Sequence, residues 1–195
     1  MKAANKNSPG AGKSRTPVSL ADQALNAWRV HNEINEVLID AIPAAGFAAV
    51  PLNSRGRDVA RQLMHMDAVR VKWLQSSNAP EAKDLSLDRK AEELSRAERK
   101  AALRESGQAI ESYLRRVFQE GGRTNLFKGE ALRWMCYLIA HESHHRGQIA
   151  LALKQNGMRL PDRIALEGLW QKWWSAEVTA SKHRHPADFA TRPKD

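Results

Sequence analysis

Residues 141–149 read HESHHRGQI, and His141, Glu142 and His145 stand in the order His-Glu-x-x-His. On a helix that pattern can hold zinc through two imidazoles while the glutamate serves as general base, the chemistry of many zinc peptidases. At about 100° per residue His145 lies roughly 40° around the helix from His141 and one turn along, so both rings can reach one ion. Trp134, Tyr137, Gln148 and Ala152 fall within about 40° of His141 on the same projection, and His144 lies about 60° off on the other side. Such a mixed apolar and polar face suits the lining of a pocket. The single cysteine, Cys136, projects about 140° away from His141 and makes a poor nucleophile for that pocket.

A histidine pair at this spacing is as compatible with exposed imidazoles as with a metal. What strengthens the metal reading is His65, near the middle of the second predicted helix just as the pair is near the middle of the fourth. Residues at matching heights on neighbouring helices can converge. Three neutral imidazoles leave at least one coordination position open, the arrangement of a catalytic rather than a structural divalent site. His31, alone in the first helix, reads as a core or boundary histidine, and His183 and His185 in the C-terminal segment carry no assigned role.

The peptidase reading needs more than the short motif. An extended metzincin pattern wants Gly at 148 and His at 151, where the chain has Gln148 and Leu151. A third ligand of the gluzincin kind could be sought at Glu167. No alternating strand appears in the chain, so there is no sheet edge on which a peptide substrate could be aligned.

The elements that must position these residues are helices. The periodicity predicts helix 1 over about 20–42 with Ser19 as N-cap and Pro43 as stop, and helix 2 over about 58–75. A polar, broken connection, residues 76–90, precedes helix 3 over about 91–119, which the pair Gly121-Gly122 ends. Helix 4 is expected over about 129–155, closed by Asn156-Gly157, and a shorter helix over about 163–176 carries Trp170, Trp173 and Trp174. An all-α bundle follows, and the long connection allows helices 2 and 3 to run parallel.

At 195 residues the chain is the size of one domain with tails: a basic segment over 1–17, a body over 18–177 and a second tail over 178–195. The net charge is +9, of which residues 1–16 carry +4 and residues 178–195 carry +2. The body is therefore only mildly basic, so any nucleic-acid binding is expected to be weak, non-specific and confined to the tails. A lone cysteine forms no internal disulfide and no four-cysteine zinc site. With no signal-peptide core and no apolar run of about 18 residues, a cytoplasmic protein without membrane partners is expected.

Around these motifs the sequence resembles the DinB-like (DinB/YfiT) family of metal-dependent enzymes. The signature is His-x-x-x-His on the last bundle helix followed by Arg-Gly-Gln and an aliphatic residue, here His141, His145, Arg146, Gly147, Gln148 and Ile149. The stretch RQLMHMDAVRVKWL resembles the family's second helix with its single histidine, and AWRVHNEINEVLIDAIP its first, so the likeness covers roughly residues 20–176. It implies a four-helix bundle in up-down-down-up order and one divalent metal, commonly nickel or zinc, on three histidines that map to His65, His141 and His145. Relatives include S-transferases that use low-molecular-weight thiols such as bacillithiol, mycothiol or glutathione. Glu142 occupies a variable position of that family, so the resemblance makes its peptidase motif accidental. A thiol-dependent transferase or a hydrolase acting on a small molecule is expected, with a low-molecular-weight thiol as the accompanying cofactor in the first case and a homodimer among the assemblies expected. The alternative is a stress-associated metal-binding bundle protein without turnover.

Overall fold

The computed structural model describes residues 17–53 and 55–174. Among them there is no strand, and four long helices dominate: α1 (Leu20–Ala41), α2 (Val59–Ser76), α3 (Arg96–Gln119) and α4 (Ala131–Gln155). The boundaries follow local chemistry. Ser19 caps α1 by accepting the Asp22 N–H at 3.0 Å, Asp58 caps α2 through the Arg61 N–H at 2.7 Å, and Ser95 with Glu98 forms a reciprocal capping box at the start of α3. Gly121 and Gly122, both at positive φ, end α3, and Gly157 at φ 75° ends α4.

Two expectations change. Helix 3 begins at Arg96 rather than near 91, because the capping box satisfies the first amides there and the preceding residues turn instead. The expected Trp-rich α-helix over 163–176 is, in its described part, a π-helical turn (Ile164–Gly168) followed by a 3-10 turn (Gln171–Trp173). Close packing accompanies the irregularity: a Cβ on Gly168 would meet Val37 Cγ1 of α1 at 2.8 Å. The tails expected at 1–17 and 178–195 lie outside the described residues except for Pro17. Among the described residues, no helix is long and apolar enough to cross a membrane.

Side-chain pairs along the helices define their relative directions. Between α1 and α3 the numbers run oppositely, from Trp28 with Gly107 and Arg29 with Glu111 to Glu36 with Arg104 and Asp40 with Lys100. Between α2 and α4 they also run oppositely, from Gln62 with His145 to Trp73 with Tyr137. In α1 and α4 they rise together, Leu25 and Trp28 sharing one core cluster with Trp134 and Leu138, and Leu38 and Ile39 sharing another with Ile149 and Leu153.

Those two apolar clusters occupy opposite ends of the helical body. Between them lies a polar layer containing His31, Asn35, Arg70 and Glu142, all 1% exposed or less. Truncating a core anchor to Ala is expected to cost about 3–5 kcal/mol at Trp28 and about 2–5 kcal/mol at Leu38. The clusters thereby hold α2 and α4 in register at the level of the histidines.

Candidate metal centre

Three imidazoles meet between α2 and α4. His141 and His145, one turn apart on α4, bring their Nε2 atoms to 3.2 Å. His65 reaches them from α2, its ring centroid 5.3 Å from that of His141 and 4.9 Å from that of His145. One nitrogen from each ring can be chosen so that all three lie within 4.8 Å of one another. The donor set fits a divalent ion: two nitrogens at about 2.0–2.1 Å from one tetrahedral zinc lie roughly 3.3 Å apart, close to the spacing on α4.

The surroundings suit these rings to act as ligands. Gln62, one turn before His65 on α2, places Oε1 at 3.3 Å from His145 Nδ1 while its Nε2 donates to the Arg57 carbonyl at 3.3 Å. The amide is thereby oriented, Nδ1 of His145 carries the hydrogen, and Nε2 keeps its lone pair facing the other rings. A metal-ligating histidine ordinarily gives its second ring nitrogen to an acceptor, but the buried Nδ1 of His141 has no hydrogen-bond partner among the described residues. That ring instead stacks on Tyr137 with centroids 5.9 Å apart. Tyr137 in turn packs against Trp73 and Phe127, making an aromatic wall on one side of the site.

Burial disfavours the imidazolium and moves His65 and His145 down to about 4, with the neighbouring histidines and Arg57 adding in the same direction. His141 is lowered too, again mainly by burial. At neutral pH all three rings are uncharged, so their lone pairs are free to bind a cation.

The other residues of the sequence motif point elsewhere. Glu142 is fully buried on the α1 side of α4, where Arg70 Nε donates to Oε1 and Nη2 to Oε2, both at 2.6 Å. His31 Nε2 and Asn35 Nδ2 each lie 2.7 Å from the same Oε2. Burial alone would raise this carboxyl, but Arg70 and His31 more than offset it and hold it well below the usual carboxylate range. A carboxylate so engaged is a structural anion, its hydrogen bonds going to Arg70, His31 and Asn35 rather than to the three clustered histidines. His31 is accordingly a core histidine, with its own titration depressed by burial.

His144 is exposed and pairs with Gln148 at 2.8 Å, outside the three-ring group. Glu167 is exposed on the π-helical turn and likewise outside it. Cys136 is a free, exposed thiol. Gln62 and the Trp73 and Phe127 wall were not singled out from the sequence. Gln62 carries a readable signal, since it sits three positions before His65 and so on the same helical face. Phe127 carries none, because it lies in the loop before α4.

No curated protein and no solved structure gives a significant match to the chain. The sequence model of the DinB family matches residues 14–182. That span contains all three clustered histidines together with the helices that present them, and the chain belongs to the DinB family.

Proposed function

We propose that the protein is a metal-dependent enzyme in which His65, His141 and His145 hold one divalent cation, nickel or zinc, beside a small-molecule substrate. The observation that carries this reading is the convergence of three uncharged imidazoles from two helices, two of them 3.2 Å apart. When bound, such a cation acts as a Lewis acid that lowers the pKa of a thiol or a water, yielding a nucleophile at neutral pH. The helix directions support reading the four long helices as an up-down-down-up bundle, with the site between α2 and α4.

The chain's own residues favour the thiol. Among the described residues the histidine cluster carries no carboxylate, and Arg57 adds positive potential at all three rings. An anionic nucleophile such as a thiolate is therefore attracted to the position left open. Gln62 fixes the His145 ring, while the Tyr137, Trp73 and Phe127 wall gives an electrophile's apolar body a surface that excludes water. In the transfer the sulfur forms a bond to the electrophilic carbon, the leaving group departs with its electron pair, and the thiol proton passes to solvent.

The peptidase alternative loses its base, since Glu142 is locked in the buried ion pair with Arg70. A non-catalytic metal-binding role would share the histidines but not the turnover. Elemental analysis of the purified protein should find about one divalent metal per chain. Screening the loaded protein with glutathione, bacillithiol and mycothiol against alkyl halides and epoxides should reveal thioether formation that His145→Ala abolishes. Metal without turnover across such a panel would favour the non-catalytic role, and absence of stoichiometric metal would end the proposal.

A further inference from the structure

On the face of α4 opposite the histidines lies a cleft of about 400 Å³, floored by Ser143, Arg146 and Gly147 and walled by Leu169, Trp170 and Trp173. We infer that this cleft is a second binding site, for a small organic anion with a flat apolar body, such as an aromatic carboxylate. Its size is that of a small-molecule pocket, and its lining is largely apolar with one convergent cation.

The charge of the layer beneath supports an anion. Arg146 Nη1 lies 3.2 Å from His31 Nδ1 and donates to Asn35 Oδ1 at 2.8 Å. A guanidinium can only donate, so Nδ1 of His31 must be the acceptor, Nε2 carries the hydrogen toward Glu142, and the ring is neutral. The hydrogen-bonded network then contains two guanidinium cations, Arg70 and Arg146, and one carboxylate, Glu142, which Arg70 already grips with two bonds; the other buried carboxyl nearby, Asp67, acts on Arg70 and not on Arg146. Arg146 is thus left with neutral hydrogen-bond partners and no carboxylate bonded to it among the described residues. Arg146 Nη2 also donates to Ser143 Oγ at 2.6 Å. The bonds to His31, Asn35 and Ser143 take three of the five N–H groups of a guanidinium, leaving two for a ligand that enters from the cleft.

The walls and floor suit the rest of such a ligand. Trp170 and Trp173 are 60% and 40% exposed, unusual for indoles, and their flat faces match an aromatic body. Lys172 between them reaches Glu33 of α1 at 3.1 Å, tethering this wall to the helical body. A Cβ on Gly147 would meet nothing within 4 Å. Glycine inside a helix is unfavourable where a side chain could be accommodated, so its presence keeps the floor open at a cost in helix propensity.

Calorimetric titration of the full chain with 1-naphthoate, and with uncharged 1-naphthamide, tests the site. Naphthoate should bind with a Kd on the order of 1 mM or tighter, and naphthamide at least about tenfold more weakly, since it forgoes a charge-assisted contact. Gly147→Leu should fill the cleft and weaken naphthoate binding by about tenfold or more while keeping or raising Tm, because leucine favours the helix. His65→Ala should bind naphthoate normally, since it alters only the opposite face of α4. Absence of saturable binding, equal affinity for the two probes, indifference to Gly147→Leu, or loss of binding in His65→Ala would each overturn the assignment.

Discussion

His65 on α2 and His145 on α4 meet edge to face, with ring centroids 4.9 Å apart and planes inclined at 76°. Neither residue is near the other in the chain, and the apolar clusters above and below hold their helices at that spacing. His65 is therefore placed so that it could join the pair on α4 around one ion.

Replacing His65 by Ala should lower metal affinity as severely as His145→Ala, and by more than the roughly 10–100-fold typical of losing a supporting residue. His31→Ala and His144→Ala should leave metal content unchanged. Competition titration with a chromophoric chelator measures all four. A His65→Ala protein that retains wild-type affinity would rule out the three-histidine site.

Gln62→Leu keeps the side chain's bulk and removes the acceptor for His145 Nδ1. Metal affinity should fall by about 10–100-fold with the fold intact. Gln62→Glu, which preserves the acceptor, should recover most of that loss. Equal loss in both variants would mean that Gln62 acts only by packing.

Glu142→Gln should leave metal content intact and destabilise the fold by about 3–5 kcal/mol, because Arg70 would be left buried without its anion. Denaturant unfolding gives the magnitude and elemental analysis the metal. If instead the variant folded with wild-type stability and lost cleavage of unstructured proteins, the peptidase reading would be restored.

Stability should fall as pH drops, in two stages. Folded His65 and His145 titrate at about 4 against an ordinary 6.5, so between those values the unfolded chain takes up protons that the metal-free folded chain refuses. Stability declines across that window. Glu142, held below its ordinary 4.5, contributes stability that is present above that value and lost as pH falls beneath it. Added metal should raise Tm from pH 7 down to about 5, with the increment vanishing near 4 as protons compete for the rings. Thermal unfolding with and without metal checks this, and an increment that persists well below pH 4 would show that these imidazoles are not the ligands.

The helical class, the caps at Ser19 and at the end of α4, and the shared face of His141 and His145 were all legible in the sequence. Each depends on spacing within a few residues, and the period of an α-helix is the same wherever the helix sits. The resemblance pointed to His65 as well. The start of α3 was read about five residues early because mixed charge looks helical on both sides of Ser95, and only the reciprocal bonds with Glu98 settle where the helix begins.

Glu142 marks what local pattern could not decide. Its position beside His141 is common to a zinc-site base and to a buried ion, and its partners Arg70 and His31 are 72 and 111 residues away. Likewise the Trp-rich segment has helical periodicity, but its close approach to Val37 and the salt bridge from Lys172 to Glu33 accompany irregular turns. The sequence by itself determined which residues share a helix face, because that follows from bond geometry and local hydrogen bonding. Only the tertiary structure decided what each face meets, because burial, charge pairing and the depressed titration of the histidines depend on groups brought together from distant parts of the chain.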